Sequence, residues 1–242
     1  RQRVAIGRAL LAEPRLLLMD EPLAAVDVAR REEILPYIER LRDDSRIPIV
    51  YVTHSLGEVA RLANTVVLLA NGRVEAVGAV SEILSRLDLA AMTGAEDTGA
   101  VIEARIADHE DRYGLTRLGC EAGNLRVPRL HLAVGSTVRL RVRARDVIVA
   151  TQRPEGLSAL NILPGIIEQI AETRGGAEIL IDCAGIRLIA RLTGRSREAL
   201  ALNVGMPVFA IIKTVALDRN SFGRAPATRR IPGDNAGDPA DA

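Results

Sequence analysis

Aromatic residues are almost missing from this chain: three tyrosines, two phenylalanines and no tryptophan in 242 residues. Apolar residues nonetheless make up 48%, so any core must be built from Leu, Val, Ile and Ala. Cysteine is as scarce. Cys120 and Cys183 stand alone, with no C-x-x-C and no histidine at ligand spacing, which excludes a disulfide framework and a cysteine metal site. They read as small buried hydrophobes in a reducing compartment. Thirty-two basic against 31 acidic residues leave a net charge of +1, so no overall field draws the chain to nucleic acid or to an anionic membrane. No apolar run approaches the roughly 18 residues of a membrane span, and no signal peptide is evident. The chain reads as soluble and cytoplasmic. It opens on Arg1 inside what looks like a helix, "RQRVAIGRALLAEP", and so reads as a fragment of a longer protein.

What is present divides in two. Residues 1 to about 92 alternate helix and strand. "RQRVAIGRALLAE" is helical up to Pro14, and "RLLLMD" is a short apolar strand of the fully buried type. "VARREEILPYIERLRDD" is an amphipathic helix with Ile34, Leu35, Ile38 and Leu41 on one face and a kink expected at Pro36. A second buried strand, "IPIVYVTHS", leads into a short helix. "TVVLLANGRVEAVG" is a hairpin about Asn71 and Gly72, and "SEILSRL" is a helix that Ser81 should cap. Buried strands alternating with helices predict a parallel α/β sheet.

Residues 93–99 read as a linker, and short alternating strands with glycine turns follow, predicting a small barrel or sandwich. This half repeats itself. "CEAGNLRVP" to "VRARDVIVA" matches "CAGIRLIAR" to "IIKTVALDR", pairing Cys120 with Cys183, Gly135 with Gly205, Val138 with Val208 and Arg143 with Lys213. The second copy, residues 156–220, carries an extra helical piece absent from the first, 100–155. Residues 221–242 have few apolar side chains and are expected to be disordered.

The stretch "RLLLMDEPLAAVD" drives an apolar strand into two adjacent carboxylates, Asp20 and Glu21. Taken alone this is a strand followed by an acidic loop. It is not alone, because Asp27 lies seven residues past Asp20 and the next strand ends in Thr53 and His54. Parallel strands would bring His54 to the edge that carries Asp20 and Glu21, the C-terminal edge where open α/β sheets bind ligands. One carboxylate for a divalent metal, one to orient or deprotonate water and a histidine to sense charge make a phosphoryl-transfer site.

These segments closely resemble the nucleotide-binding subunits of ABC transporters. "LLLMDEP" is similar to their Walker B strand, "LAAVD" to the D-loop, "VTHS" to the switch-histidine loop, and "RQRVAIGRALLAEP" to the helix after the signature motif. The resemblance implies that Asp20 binds Mg²⁺, that Glu21 is the general base for the attacking water, and that His54 contacts the γ-phosphate of ATP. Asp27 would organise the facing subunit of a homodimer. No G-x-x-x-x-G-K-[ST] loop, Q-loop or signature Ser-Gly-Gly occurs in these residues. This polypeptide alone is therefore expected to be inactive, and the hydrolytic reading applies to its full-length parent.

"SALNILPGIIEQI" and "IRLIARLTGRSREALALNVGMPVFAIIKTVAL" resemble the TOBE/Mop molybdate-binding β domain at the end of molybdate-importer ATPases. Ser158, Asn161, Thr193, Gly205, Lys213 and Thr214 fill that pattern, and Ser158, Asn161, Lys213 and Thr214 are the implied oxyanion-binding set. Hydroxyls, backbone amides and one Lys can hold a tetrahedral oxyanion. The pattern often has Arg where Leu160 stands.

The expected fold is the C-terminal part of an ABC-type P-loop ATPase domain, α/β, followed by an all-β, OB-like/Mop-type barrel of two repeated subdomains. The expected role is ATP hydrolysis for molybdate import at the cytoplasmic face of the inner membrane, as a peripheral subunit with permease partners. A periplasmic oxyanion-binding protein would take part indirectly, and nucleic acid would not. Two alternatives remain at this level: a non-catalytic oxyanion-binding module, or an ABC ATPase for tungstate, sulfate, iron or another solute.

Overall fold

The computed structural model describes residues 2–45, 47–89, 98–217 and 222–225. Helix α1 (Gln2–Leu11) precedes strand β1 (Leu17–Asp20), helix α2 (Val28–Asp44), strand β2 (Ile49–Val52) and helix α3 (Leu56–Leu62). Strands β1 and β2 are parallel, in register from Leu17 against Ile49 to Asp20 against Val52. Leu23, Ile34, Leu35, Ile38 and Leu62 form the small core that packs α2 and α3 against them. α2 runs through Pro36.

The two strands were expected to be buried on both faces, and they are not. Leu17 and Met19 are buried, but Leu18 is 66% and Val50 46% exposed. Leu16 and Val52 are open as well. Helices cover one face of the pair, and among the described residues no layer covers the other.

A hairpin follows, β3 (Thr65–Ala70) and β4 (Arg73–Ala79), turning through Asn71 (φ 50°) and Gly72 (φ 73°). Positive φ at both positions gives the twist that joins tightly linked strands. Helix α4 (Val80–Leu84) is capped differently from expectation. Its N-cap is Ala79, without a side-chain bond, and Ser81 is already helical. The Val80 amide donates to the Asn64 carbonyl, which draws the helix start forward.

The rest of the described chain is β. Strands β5 (Gly99–Glu110), β6 (Leu115–Cys120), β7 (Gly123–Pro128) and β8 (Thr137–Arg143) lead through a 3-10 turn at Ala144–Asp146 into β9 (Val147–Ala150). Strands β10 (Asn161–Thr173), β11 (Gly176–Cys183), β12 (Ile186–Thr193), helix α5 (Gly194–Ala199) and β13 (Pro207–Ile212) lead through a second 3-10 turn, Thr214–Ala216, into β14 (Phe222–Arg224).

The plan is duplicated. One sheet runs β7-β6-β5-β8 and the other β12-β11-β10-β13, each antiparallel. Gly135 donates to Ile106 O in the first and Gly205 to Ile167 O in the second, at 2.8 Å each. A bulge follows Ile106 and another follows Ile167. The fifth strand of each sheet is exchanged: β9 leaves the first copy to pair with β13, and β14 leaves the second to pair with β8. One core fills the space between the sheets, centred on Ile102, Leu118, Leu140, Ile179, Leu188 and Ile212.

β14 lies where a disordered tail was expected. Phe222, 9% exposed, belongs to the shared core, and that burial orders the strand. The remainder of the expected tail, residue 221 and 226–242, and linker residues 93–97 lie outside the described residues. Cys183 is buried, which pushes its thiol up to about 12, whereas Cys120 is only half-buried.

α3 joins the two portions. Arg42 of α2 donates to Arg61 O at 2.7 Å, and Arg139 of β8 donates to Ala63 O and to Glu103. Arg61 itself lies between Glu39 (2.8 Å) and Glu32 (2.9 Å). These charge-assisted bonds satisfy carbonyls that a helix end leaves open.

Candidate functional site

The parallel pairing of β1 and β2 sets the ends of both strands side by side. Asp20, opposite Val52, is exposed at that edge. Glu21 is next, and its amide donates to Val52 O at 2.9 Å, adding one more rung to the ladder. Glu21 adopts φ 44°, a left-handed conformation rare without glycine, and this ends the strand and lifts the side chain over the edge. His54 arrives from β2, and its Nδ1 lies 2.7 Å from Glu21 Oε1. That hydrogen bond, and then the charge of Glu21, raise the His54 pKa above the ordinary histidine value. Both side chains face solvent, 81% exposed for His54 and 37% for Glu21. A carboxylate and an imidazole sharing a proton at an open sheet edge can accept a proton from water and present a positive charge to an anion.

Asp27 is placed differently. It is the N-cap of α2, where Oδ1 accepts from Arg30 N at 3.0 Å and Oδ2 lies 3.5 Å from Arg30 Nε. Its carboxylate caps α2 and does not join the Glu21–His54 contact.

Sequence reasoning missed the residues beneath this edge. Glu58, 4% exposed, accepts from the Tyr51 hydroxyl at 2.8 Å and from Thr53 Oγ1 at 2.9 Å. Burial, with the Glu58 carboxylate alongside, pushes the Tyr51 hydroxyl far above its ordinary pKa and keeps it a neutral donor. The available signal was Ser55 followed three residues later by Glu58, the S-x-x-E pattern of a helix start. Ser55 does cap α3, through Glu58 N at 3.4 Å, but the Glu58 side chain turns inward to the strand.

In the β domain, the register of Asn161 against Ile212 brings the start of β10 and the end of β13 together. Ser158, Asn161, Lys213 and Thr214 therefore gather at one end of their sheet. Ser158 and Lys213 are exposed there. Thr214 is 8% exposed, and its hydroxyl has no hydrogen-bond partner among the described residues. Asn161 is 1% exposed and already engaged: Nδ2 donates to Arg126 O at 2.9 Å and Oδ1 accepts from Arg126 N at 2.7 Å. It staples the first copy's edge strand, β7, to the second copy. Thr193 lies at the opposite end of the sheet, registered through Gly176 to Thr173, and caps α5 by accepting from Ser196 N. Leu160 is 50% exposed. Among the described residues no group of three or more His, Cys, Asp or Glu could hold a metal ion unaided, and no helix is long and apolar enough to cross a membrane.

Residues 157–218 match the TOBE domain family. The chain is 56% identical over 224 residues to the molybdenum import ATP-binding protein ModC of Mesorhizobium japonicum, covering 92% of this chain and 60% of that protein. It is 55% identical over 219 residues to the protein of the same name from Rhizobium etli, covering 90% of this chain and 61% of the relative. The chain thus spans about three-fifths of the length of these curated relatives. Among solved structures, the cytoplasmic molybdate-binding protein ModG with molybdate bound aligns at 24% identity and a TM-score of 0.46, over 52% of this chain and 95% of its own.

Proposed function

This chain carries a TOBE domain and is homologous along nine-tenths of its length to molybdenum import ATP-binding proteins, and on that premise we propose that it forms the hydrolytic edge and the oxyanion-binding domain of an ATPase subunit that energises molybdate import. The observation that carries the hydrolytic half is the 2.7 Å contact between His54 Nδ1 and Glu21 Oε1 at the edge that also bears Asp20. Glu21 takes a proton from the attacking water, and His54 presents its charged ring to the terminal phosphate. Asp20, exposed at this edge, is the carboxylate assigned to Mg²⁺. A single carboxylate fits, since Mg²⁺ is commonly held by one or two carboxylates together with substrate phosphates; when bound, the ion neutralises phosphate charge. Asp27 acts at the N-cap of α2, which a second copy would face in a homodimer.

No G-x-x-x-x-G-K-[ST] motif occurs in the 242 residues. Hydrolysis is therefore assigned to a polypeptide of the relatives' full length, and these residues alone are expected not to hydrolyse ATP. Such a subunit would sit at the cytoplasmic face of the membrane against a permease. Glu21→Gln in the full-length polypeptide should lower ATP turnover by about a hundredfold or more, the usual contribution of a general base, and leave ATP binding in place. Turnover within a few-fold of the parent would reject the assignment.

The β domain is assigned molybdate, with Ser158, Lys213 and Thr214 as its contacts and Asn161 as the residue that positions β10. The buried, unpartnered Thr214 hydroxyl supports this, because a buried polar atom is normally hydrogen-bonded. Calorimetric titration of the chain should show binding of molybdate in preference to sulfate, weakened by Lys213→Ala. Equal heats for both anions, or none, would remove molybdate as the ligand.

A further inference from the structure

The Glu21–His54 contact cannot hold itself in place. Its partners are side chains open to water, and pairs so exposed are worth little against the entropy of ordering them. The Glu21 N to Val52 O rung joins the strand ends, and beneath the turns that follow them lies the cluster around Glu58.

Glu58 Oε2 holds the hydroxyls of Tyr51 and Thr53, and Thr53 Oγ1 in turn accepts from Ser55 N at 3.1 Å. The residues on both sides of His54 are thereby tied to one buried carboxylate. Its other oxygen, Oε1, lies 3.7 Å from Arg31 Nε. Arg31 comes from α2 and also reaches the loop that follows Glu21, with Nη2 3.4 Å from Leu23 O and 3.5 Å from Val26 O. Within that loop, Ala24 N donates to Glu21 O at 3.2 Å. A continuous chain of contacts thus runs from Glu21 through the loop to Arg31, then to Glu58, then to the turn that carries His54.

An ion pair with one buried and one part-exposed partner is poor evidence for stability as such, since an apolar pair of similar size often serves as well. What this pair supplies, and an apolar one would not, is a charge attraction between a side chain bonded to the Leu23 and Val26 carbonyls and one bonded to the Tyr51 and Thr53 hydroxyls. We propose that Arg31 and Glu58 are positioning residues: they lock the 22–27 loop to the 52–55 turn and so hold Glu21 and His54 at working distance. The functional value of that distance rests on the hydrolytic reading above, whereas the lock itself does not.

Amide hydrogen exchange on the 242-residue chain tests the lock directly, because exchange reports local opening segment by segment. Glu58→Gln keeps shape and one acceptor oxygen without the charge, and Arg31→Met keeps bulk without the charge. Each should raise exchange about tenfold in both 22–27 and 52–55, with the amides of β11 and β12 unchanged as the control for folding. The double variant should add no more than either single change, as expected for groups acting as a unit. Exchange that rises only in the segment holding the substituted residue, or effects that add, would overturn the proposal. In the full-length polypeptide, Glu58→Gln should lower kcat with little change in KM for ATP; an unchanged kcat would overturn the positioning role. If the parent itself does not hydrolyse ATP, the hydrolytic reading falls and the exchange result still decides the lock.

Discussion

The two portions of this chain solve the problem of covering apolar surface in opposite ways. The β domain closes on itself: two sheets share one core, and each lends its fifth strand to the other, so that β9 and β14 cover edges in the opposite copy. Among the described residues the α/β portion has small separate clusters, one of them completed by Val101 of β5. It leaves Leu16, Leu18, Val50 and Val52 open on one sheet and Val67, Leu69, Val74 and Val77 open on the hairpin. Contiguous exposed apolar residues of this kind mark surfaces meant to be covered. Among the described residues, one region covers its apolar faces with its own strands, and the other leaves them open beside the edge that bears Glu21 and His54.

Substitutions should break this contrast in order of size. Gly176 lies where an added Cβ would stand 1.9 Å from Leu192 O, backbone that cannot swing away. Gly176→Ala should therefore cost about 4 kcal/mol or more, a size reached only by strain or core disruption, and should unfold the β domain in urea well before the parent. Leu140→Ala, at a fully buried position in the shared core, should cost about 3 kcal/mol. Leu18→Ala is the comparison: at 66% exposure its cost in this chain should stay within about 0.5 kcal/mol. Equal losses at the two leucines in urea titration would erase the distinction between the regions.

Asn161→Ala removes both bonds of the staple and leaves the amide and carbonyl of Arg126 unpaired. The expected loss is about 2 kcal/mol. It should be accompanied by faster amide exchange at Arg126, with the centre of the core unaffected.

The smallest effect is read by pH. The Glu21 contact raises the His54 pKa, so whatever the contact contributes is fully present below the ordinary histidine pKa and is lost as pH rises through the raised value. In Glu21→Gln the His54 ring should titrate lower in an NMR experiment, toward the ordinary value. An unmoved titration would show that the contact does not form in solution.

Which of these features could be read from sequence follows from how far apart their parts are. The edge bearing Asp20, Glu21 and His54 was legible because two short apolar strands joined by one helix have a single simple arrangement, parallel and adjacent. The likeness to molybdenum import ATP-binding proteins was legible because it rests on contiguous motifs. The inward turn of Glu58 was hidden behind a helix-cap pattern that it also satisfies. The partner of Asn161 lies 35 residues away on a strand of the other copy, and alternation along a strand says which face a residue takes but not which strand lies beside it.

By itself, then, the sequence determined the alternation of helix and strand in the first ninety residues, the short strands after them, and the residues that reach the β1–β2 edge, since these depend on local periodicity and short connections. Only the tertiary structure decided the exchange of β9 and β14, the use of Asn161 as a staple and of Asp27 as a helix cap, and the buried link from Arg31 to Glu58. Each of those depends on which distant backbone happens to offer an open hydrogen-bonding group, a choice made when the layers pack.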